Sequence, residues 1–357
     1  MRVLFVTNIV CPNTVYLFNE IYKCAPDTSV LYTRKFSVGR NYDHFYAVTH
    51  PHRILKEFPI KNHLYFNYEV WTIFQRVRQA DCIVIGQFSN PTYALCAVIC
   101  KILGKKVIYW GEAVTKVAFE ERPIFTSKLG LLLRQTVIRA YRSLIQEVWP
   151  IGEKCLLSLR KEGFKQPHKF FYYYSDLSVF FSARKVPVSP SKEFKFIVIG
   201  SLNHRKGFDL ILEAAEMLTK QGFQFSFHIY GDGPLIEERS NFVYHGFKPH
   251  EEIVKELSHA DAFLLPSRYD GWGVALIEAL AAGVPVITSR NVGASEVIVE
   301  ECDGIVLESL TAKHLAEAMA LLIQKPRKSE QTGLCAQRLT AASGARDFLN
   351  NLHILTS

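Results

Sequence analysis

Residues 266–288 read PSRYDGWGVALIEALAAGVPVIT, and the fold is decided there. The apolar run 262–265 just before them predicts a buried strand ending near Pro266. Asp270-Gly271-Trp272-Gly273 predicts a tight loop, because a residue without Cβ lets the backbone turn sharply or approach a ligand. Residues 275–282 are rich in good helix formers. Gly283 suits the position just past a helix end, and Pro285 blocks continuation. Residues 284–288 then predict the next strand. Strand, glycine loop, helix and strand in that order form one repeat of a parallel α/β sheet.

The same stretch points to chemistry. A helix start beneath a glycine loop presents N–H groups and the positive end of a dipole, which suits a phosphate. Asp270 and Glu278 flank it, with Glu278 expected in the first helical turn. Each carboxylate can hold a pair of sugar hydroxyls. The plainer alternative is a loop aspartate and a glutamate that favours a helix N-terminus.

The spacing from Asp270-Gly-Trp-Gly through Glu278 to Gly283-Val-Pro285 resembles that of retaining GT-B glycosyltransferases of family 4. The usual pattern there is Glu, seven residues, Glu; here the first acid is the shorter Asp270. The resemblance implies that Asp270 contacts the transferred sugar and Glu278 the nucleotide ribose. It implies that backbone N–H groups near Val274 and Ala275 hold the diphosphate and that Gly271, Trp272 and Gly273 belong to the donor site.

Outward from this stretch the second half alternates strand and helix: 194–199, 208–218, 223–230, 242–245, 251–257, 305–307 and 312–324. Phe208, Ile211, Leu212, Ala215 and Leu218 share one helical face. The first half shows the same alternation less cleanly, with strands at 3–7, 29–32, 82–86, 107–110, 148–151 and 170–174 and helices between. Residues 33–68 carry no clear period. Both halves imply doubly wound parallel sheets. Pro187 and Pro190 lie in the polar stretch 175–191, so the domain boundary is set at 182/183. The expected fold is thus GT-B: two Rossmann-like domains facing a central cleft. Residues 1–182 would bind the acceptor and residues 183–357 the nucleotide-sugar donor.

Three further loops follow strands, where such sheets bind ligands. Gly200-Ser-Leu-Asn-His-Arg205-Lys206-Gly207 sets two cations before a helix, a local cost of ~0.3–1 kcal/mol each unless an anion joins them. By resemblance Arg205 and Lys206 would stabilise the leaving diphosphate; a solvated pair is the alternative. The family often has Arg after the first glycine, where Ser201 stands here. Gly231-Asp-Gly233-Pro is a weak signal alone that matches the family's position. Phe247, in His245-Gly-Phe-Lys248, would lie against the base or else be an ordinary core residue. In the first half, Gly111-Glu112 stands where the family has a histidine near the reacting sugar, and the loop 8–13 lacks the usual glycines. Glu112 is a candidate for orienting the acceptor, or a plain loop acid.

Composition sets the remaining bounds. The chain has 357 residues, long enough for two domains, with 48% apolar and 21% charged residues. Residues 1–182 hold 24 Lys and Arg against 13 Asp and Glu, while residues 183–357 hold 18 against 21. A basic first half suits an anionic partner, such as a phosphorylated or lipid-linked glycan acceptor or the surface of an anionic membrane, and is equally a generic solubility charge. No nucleic-acid recognition module is legible. No apolar run spans a bilayer, no signal peptide is read, and eight scattered cysteines suit free thiols. The expected location is cytoplasmic, with peripheral contact at the inner face of the membrane. The twelve histidines show no metal-ligand spacing, so no metal and no cofactor beyond the nucleotide-sugar substrate are expected. Two other classes fit the same outline: a sugar-nucleotide epimerase and a non-catalytic nucleotide-sugar binder.

Overall fold

The computed structural model describes residues 1–35, 47–61, 64–88, 90–113, 128–184, 193–326 and 330–353. The expected linker prolines, and two further acids of the loop after the expected 107–110 strand, Glu120 and Glu121, lie outside them. The chain forms two compact units: Met1–Asp176 with Ala341–Ser357, and Leu177–Thr340.

Unit 1 begins with β1 (Val3–Ile9), α1 (Pro12–Cys24), β2 (Thr28–Arg34), β3 (His52–Ile54), the hairpin β4 (Glu57–Lys61) and β5 (Leu64–Asn67), and α2 (Val70–Gln79). It continues with β6 (Cys82–Ile85), α3 (Pro91–Ile102), β7 (Lys106–Gly111), α4 (Lys128–Leu144), β8 (Glu147–Pro150) and α5 (Glu153–Lys161). Unit 2 holds α6 (Ser178–Ala183), β9 (Phe194–Ile199), α7 (Phe208–Lys220), β10 (Phe225–Tyr230), β11 (Phe242–Gly246) and α8 (His250–Ser258). After these come β12 (Ala262–Leu265), α9 (Val274–Ala281), β13 (Val286–Ser289), β14 (Gly304–Leu307) and α10 (Ala312–Gln324). The last helix, α11 (Ala341–His353), returns to unit 1.

Each unit is built on a six-stranded sheet, in the orders β3-β2-β1-β6-β7-β8 and β11-β10-β9-β12-β13-β14, with every pair parallel. Both are the doubly wound order, reversing between the first and fourth strands. The sequences CIVI of β6 and AFLL of β12 are buried throughout, as central parallel strands covered on both faces must be. Local chemistry starts the helices. Asn90 Oδ1 accepts from Thr92 N at 2.7 Å ahead of Pro91, and Thr311 caps α10 through His314 N. The buried face of α7 contains all five residues expected from its period.

Three expectations change. Residues 170–174 form no strand. Phe171 N donates to Pro150 O, so the segment follows the edge of β8, but its rings pack on Trp110, Trp149 and Phe348 instead of extending a ladder. Within the polar stretch assigned as linker, Ser178–Ala183 are helical, and Phe180 of this helix is buried in unit 2. Finally, the C-terminal helix packs with the first unit. Gly344 admits Tyr174 and Leu17 so closely that a Cβ there would sit 2.5 Å from the tyrosine ring, and Tyr174 donates to Asp347 Oδ2 at 2.7 Å.

Unit 1 also contains a titratable core residue. His50 is buried against Phe18 and sits between Asn19 Oδ1 at 2.7 Å and the Tyr32 hydroxyl at 3.0 Å. Burial, with a smaller contribution from His52, pushes its pKa down to about 4. A depressed histidine pKa leaves stability intact above the unfolded value of 6.5. Stability is lost as pH falls through the interval to about 4, because the unfolded chain takes up the proton first. The wild type should therefore lose about 3 kcal/mol from this group between pH 7 and pH 4. Urea unfolding at both pH values checks this: His50→Gln should lose correspondingly less over the same interval, and equal losses would rule out His50 as the source.

Candidate active site

The two central strands of unit 2, β9 and β12, end at the point where strand order reverses. Their loops, 200–207 and 266–273, are joined by backbone. Asn203 Oδ1 accepts from Lys206 N at 3.0 Å and forms a 3-10 turn over His204–Lys206. Gly207 follows at φ 74°, where a Cβ would lie 2.0 Å from Pro266 O. Only glycine meets both demands.

Arg268 fixes the two loops in register. Its amide donates to Arg205 O at 2.8 Å. Its guanidinium donates to His204 O at 2.6 Å and to both oxygens of Asp209, at 2.7 and 2.6 Å. Burial works to raise the Asp209 carboxyl, but the hydrogen bonds and charge of Arg268, with His204, outweigh it and hold the pKa below the usual range. Arg205 Nη1 returns a bond to Tyr269 O at 3.2 Å. The result brings Lys206 Nζ to 2.5 Å from Asp270 Oδ2, with the two side chains only 20% and 15% exposed.

Asp270 begins the glycine loop. Its backbone bridges Val292, and Gly293 N donates to Asp270 O at 3.1 Å. A Cβ on Gly293 would lie 2.2 Å from Gly271 O, so that glycine carries the close approach of two chain segments. Gly273, at φ 90°, caps α9, and the Val274 and Ala275 amides open the helix. First-turn amides lack intrahelical acceptors, and no acidic side chain occupies this turn. The positive end of α9 is therefore not neutralised by a residue of its own.

Glu278 is the fifth residue of α9, just past the first turn where the sequence placed it, because the left-handed Gly273 starts the helix at Val274, one residue earlier than expected. It is not an N-terminal acid. Its Oε1 lies 3.5 Å from His250 Nε2. Phe180 of α6 stands edge-on to that imidazole at 4.9 Å. The Trp272 side chain is 2% exposed and packs inside, so this residue offers the loop only its backbone, where its carbonyl accepts from Ala294 N at 2.7 Å.

Gly231 and Gly233 are required by packing. A Cβ on either would fall within 2.4 Å of a backbone oxygen, Gly200 O or Leu202 O. The backbone of 231–233 thus lies directly on the loop that carries Arg205 and Lys206. At the end of β11, Phe247 is 78% exposed, which removes the core alternative and leaves its ring open to a partner. Beside it in the chain, His245 stacks on Tyr230 at 4.5 Å. Glu112 belongs to unit 1, where its carbonyl accepts from Tyr109 Oη at 3.1 Å and its carboxylate meets the Tyr173 phenol. Burial and then that carboxylate push the phenol well up.

Arg205, Lys206, Asp270 and the 271–275 backbone thus converge in unit 2, with Gly231 and Gly233 supporting them. The sequence reading missed Arg268, Asp209, His250 and Gly293. Among the described residues, no three His, Cys, Asp or Glu side chains converge to hold a metal ion. No helix among them is long and apolar enough to cross a membrane.

Residues 179–338 match the family model described as Glycosyl transferases group 1. The match lies within unit 2. Relatives align over the same kind of span. The putative colanic acid biosynthesis glycosyltransferase WcaL of Escherichia coli is 33% identical over 160 residues, 40% of this chain and 39% of that protein. The amylovoran biosynthesis glycosyltransferase AmsK of Erwinia amylovora is 33% identical over 146 residues, 36% of each. The chain thus spans about two-fifths or less of these relatives' length. Fold similarity extends further. The structure of Anabaena Alr3699/HepE in complex with UDP and glucose superposes with a TM-score of 0.72 over 99% of both chains at 16% identity. The apo lipopolysaccharide outer core galactosyltransferase WaaB superposes at 0.71, again over 99% of both chains, at 14% identity. The fold is GT-B, and the residues that match the group 1 model lie in its second half.

Proposed function

We propose that the protein is a retaining family 4 glycosyltransferase. It moves a hexose from a UDP- or GDP-sugar to a glycan or lipid-linked glycan in cell-surface polysaccharide assembly. One observation carries the reading. The Lys206–Asp270 pair lies where strand order reverses, in the loops that lead to the start of α9. A diphosphate bound there exchanges one partner of Lys206 for another and receives the amides of Val274 and Ala275 as well. The similarity to transferases of colanic acid and amylovoran synthesis, and to a protein crystallised with UDP and glucose, supports the substrate class.

The chemistry is electrostatic. The bond from the anomeric carbon to the phosphate oxygen breaks, and its electron pair leaves with the nucleoside diphosphate. Arg205, Lys206 and the α9 amides stabilise the charge that develops, the kind of preorganised contribution that often dominates catalysis. The acceptor hydroxyl attacks the same face, and its proton goes to the departing phosphate oxygen. Asp270 orients the sugar, Glu278 the ribose, and Phe247 the base. Glu112 helps hold the acceptor. No protein nucleophile is needed, and the cationic side chains take the role a metal would otherwise fill.

Purified protein given UDP-, GDP- and ADP-hexoses should show one donor that raises its thermal midpoint. With a lipid-linked or phosphorylated glycan acceptor, that donor should release nucleoside diphosphate and form a lengthened product with the donor's anomeric configuration. An inverted product sinks the retaining assignment. A changed sugar without acceptor favours an epimerase, and binding without turnover on any acceptor favours a non-catalytic binder.

A further inference from the structure

The helices on one face of the first sheet carry positive charge and apolar surface with no acid. Ile73 and Val77 of α2, Tyr93 and Cys96 of α3, and Ile138 and Tyr141 of α4 enter a single core, so the three helices form one layer. Over Val70–Gln79, Pro91–Ile102 and 135–144 that layer holds Arg76, Arg78, Lys101, Arg139 and Arg142 but no Asp or Glu. Other helices differ. In unit 1, α1 carries Glu20 and α11 carries Asp347, while in unit 2 α7 and α8 each carry several acids.

The outward side of the layer is also apolar where a soluble helix is ordinarily polar. Trp71 is 68% exposed and Ile102 77%, and Val98 and Val137 are exposed too. Trp71 stacks on Phe74 at 5.4 Å, which stiffens the projecting ring. At the foot of α3 a recess is lined by Lys101, Gly104, Lys105, Lys106 and Gln146, directly beside Ile102 and Leu103 in the chain, with Lys106 paired to the buried Glu147 at 2.7 Å. Lys105 Nζ also donates to Val77 O, Arg78 O and Ala80 O, so it ties the end of α2 to that recess. Cations beside exposed Trp and Ile suit a surface that offers anions above hydrocarbon. A polyanion such as RNA has no use for exposed Trp71 and Ile102.

We propose that the outer face of α2, α3 and α4 docks on an anionic lipid bilayer. Basic residues meet phosphate headgroups while Trp71 and Ile102 enter the interface. This does not rest on the transferase reading, because binding is read without turnover.

The test uses the full chain and sedimentation with vesicles. Binding to phosphatidylcholine mixed with phosphatidylglycerol should be strong at low salt, weaker at high salt, and absent with phosphatidylcholine alone. Arg78→Glu, Lys101→Glu and Arg139→Glu together should lower partition by at least ~100-fold, from the energy of a basic residue at such a surface. Trp71→Ser with Ile102→Ser should weaken binding and remove the remainder seen at high salt. The matching reversal in unit 2, Lys220→Glu, Lys255→Glu and Lys313→Glu, should leave binding within about twofold, since those lysines lie outside the layer. Thermal midpoints of all variants identify any that fail to fold; the serine pair then tests the same face with no change of charge. Equal binding to neutral vesicles, equal loss from both triple variants, or displacement of the protein from vesicles by equimolar single-stranded RNA overturns the proposal.

Discussion

Lys206→Ala should slow sugar transfer by roughly 10²–10³-fold, the effect of deleting one preorganised group that stabilises developing charge. The difficulty is that Lys206 already has a partner. Removing it leaves Asp270, only 15% exposed, without its cation, and an uncompensated half-buried charge is destabilising in itself. Activity lost by the single variant therefore has two explanations. A double variant separates them. If the pair only holds the loop, Lys206→Ala with Asp270→Ala restores both thermal midpoint and turnover, because no orphan charge remains. If Lys206 meets the departing diphosphate, the double variant recovers stability and stays at least 10²-fold slower than Asp270→Ala alone, which already carries the loss of the sugar contact. Asp270→Asn supplies the third corner: it keeps the side chain's shape, removes the charge that competes with phosphate for Lys206, and should tighten nucleoside diphosphate binding even as transfer slows. Recovery of turnover in the double variant would remove Lys206 from the mechanism.

The parts legible in advance and the parts that were not divide along a physical line. The strand at 262–265, the glycine loop and the helix after it were readable because their signals are local: an apolar run, Gly273 at a left-handed cap, Gly283 and Pro285 at the end. The α10 range emerged residue for residue, since a Thr cap and a clear period bound it. Glu278 fell just past the first turn instead of within it, because sequence fixes a helix start only to within a residue or so and Gly273 starts α9 at Val274. Arg268 and Asp209 lie far apart in the chain, and only the reversal of strand order between β9 and β12 brings them together. His250 reaches Glu278 through the packing of α6, α8 and α9, which leaves no trace in spacing. The aromatic run 170–174 looked like a strand because buried rings and β-branched residues share a composition; its rings serve a core instead of a ladder. The packing of the last helix on the first unit was not legible, as all long-range packing is hidden: Gly344 reads as a weak helical residue until Tyr174 is seen against it.

Gly231→Ala should cost about 3 kcal/mol or more, and so lower the thermal midpoint of unit 2 by roughly 6–12 °C with no donor present. The added Cβ would lie 1.9 Å from Gly200 O and 2.8 Å from Gly200 C. Both atoms are backbone, so no rotamer change relieves the clash. Nor can the loop move freely: Gly231 N donates to Gly246 O and Gly200 N to Tyr230 O, each at 2.9 Å, which joins the ends of three strands. The φ of 151° adds strain for any residue with a side chain. A control isolates that part. Gly222 also has positive φ, 80°, but nothing lies within 4 Å of a Cβ there. Gly222→Ala should therefore cost only the left-handed penalty, about 1–2 kcal/mol. The difference between the two variants measures the close approach itself. If Gly231 is small only to admit a ligand, the gap vanishes in the empty protein and appears solely as weaker binding of the nucleotide. If it is small because the loop bearing Arg205 and Lys206 must rest on it, the gap is present before any ligand arrives, and the weaker binding follows from a displaced loop.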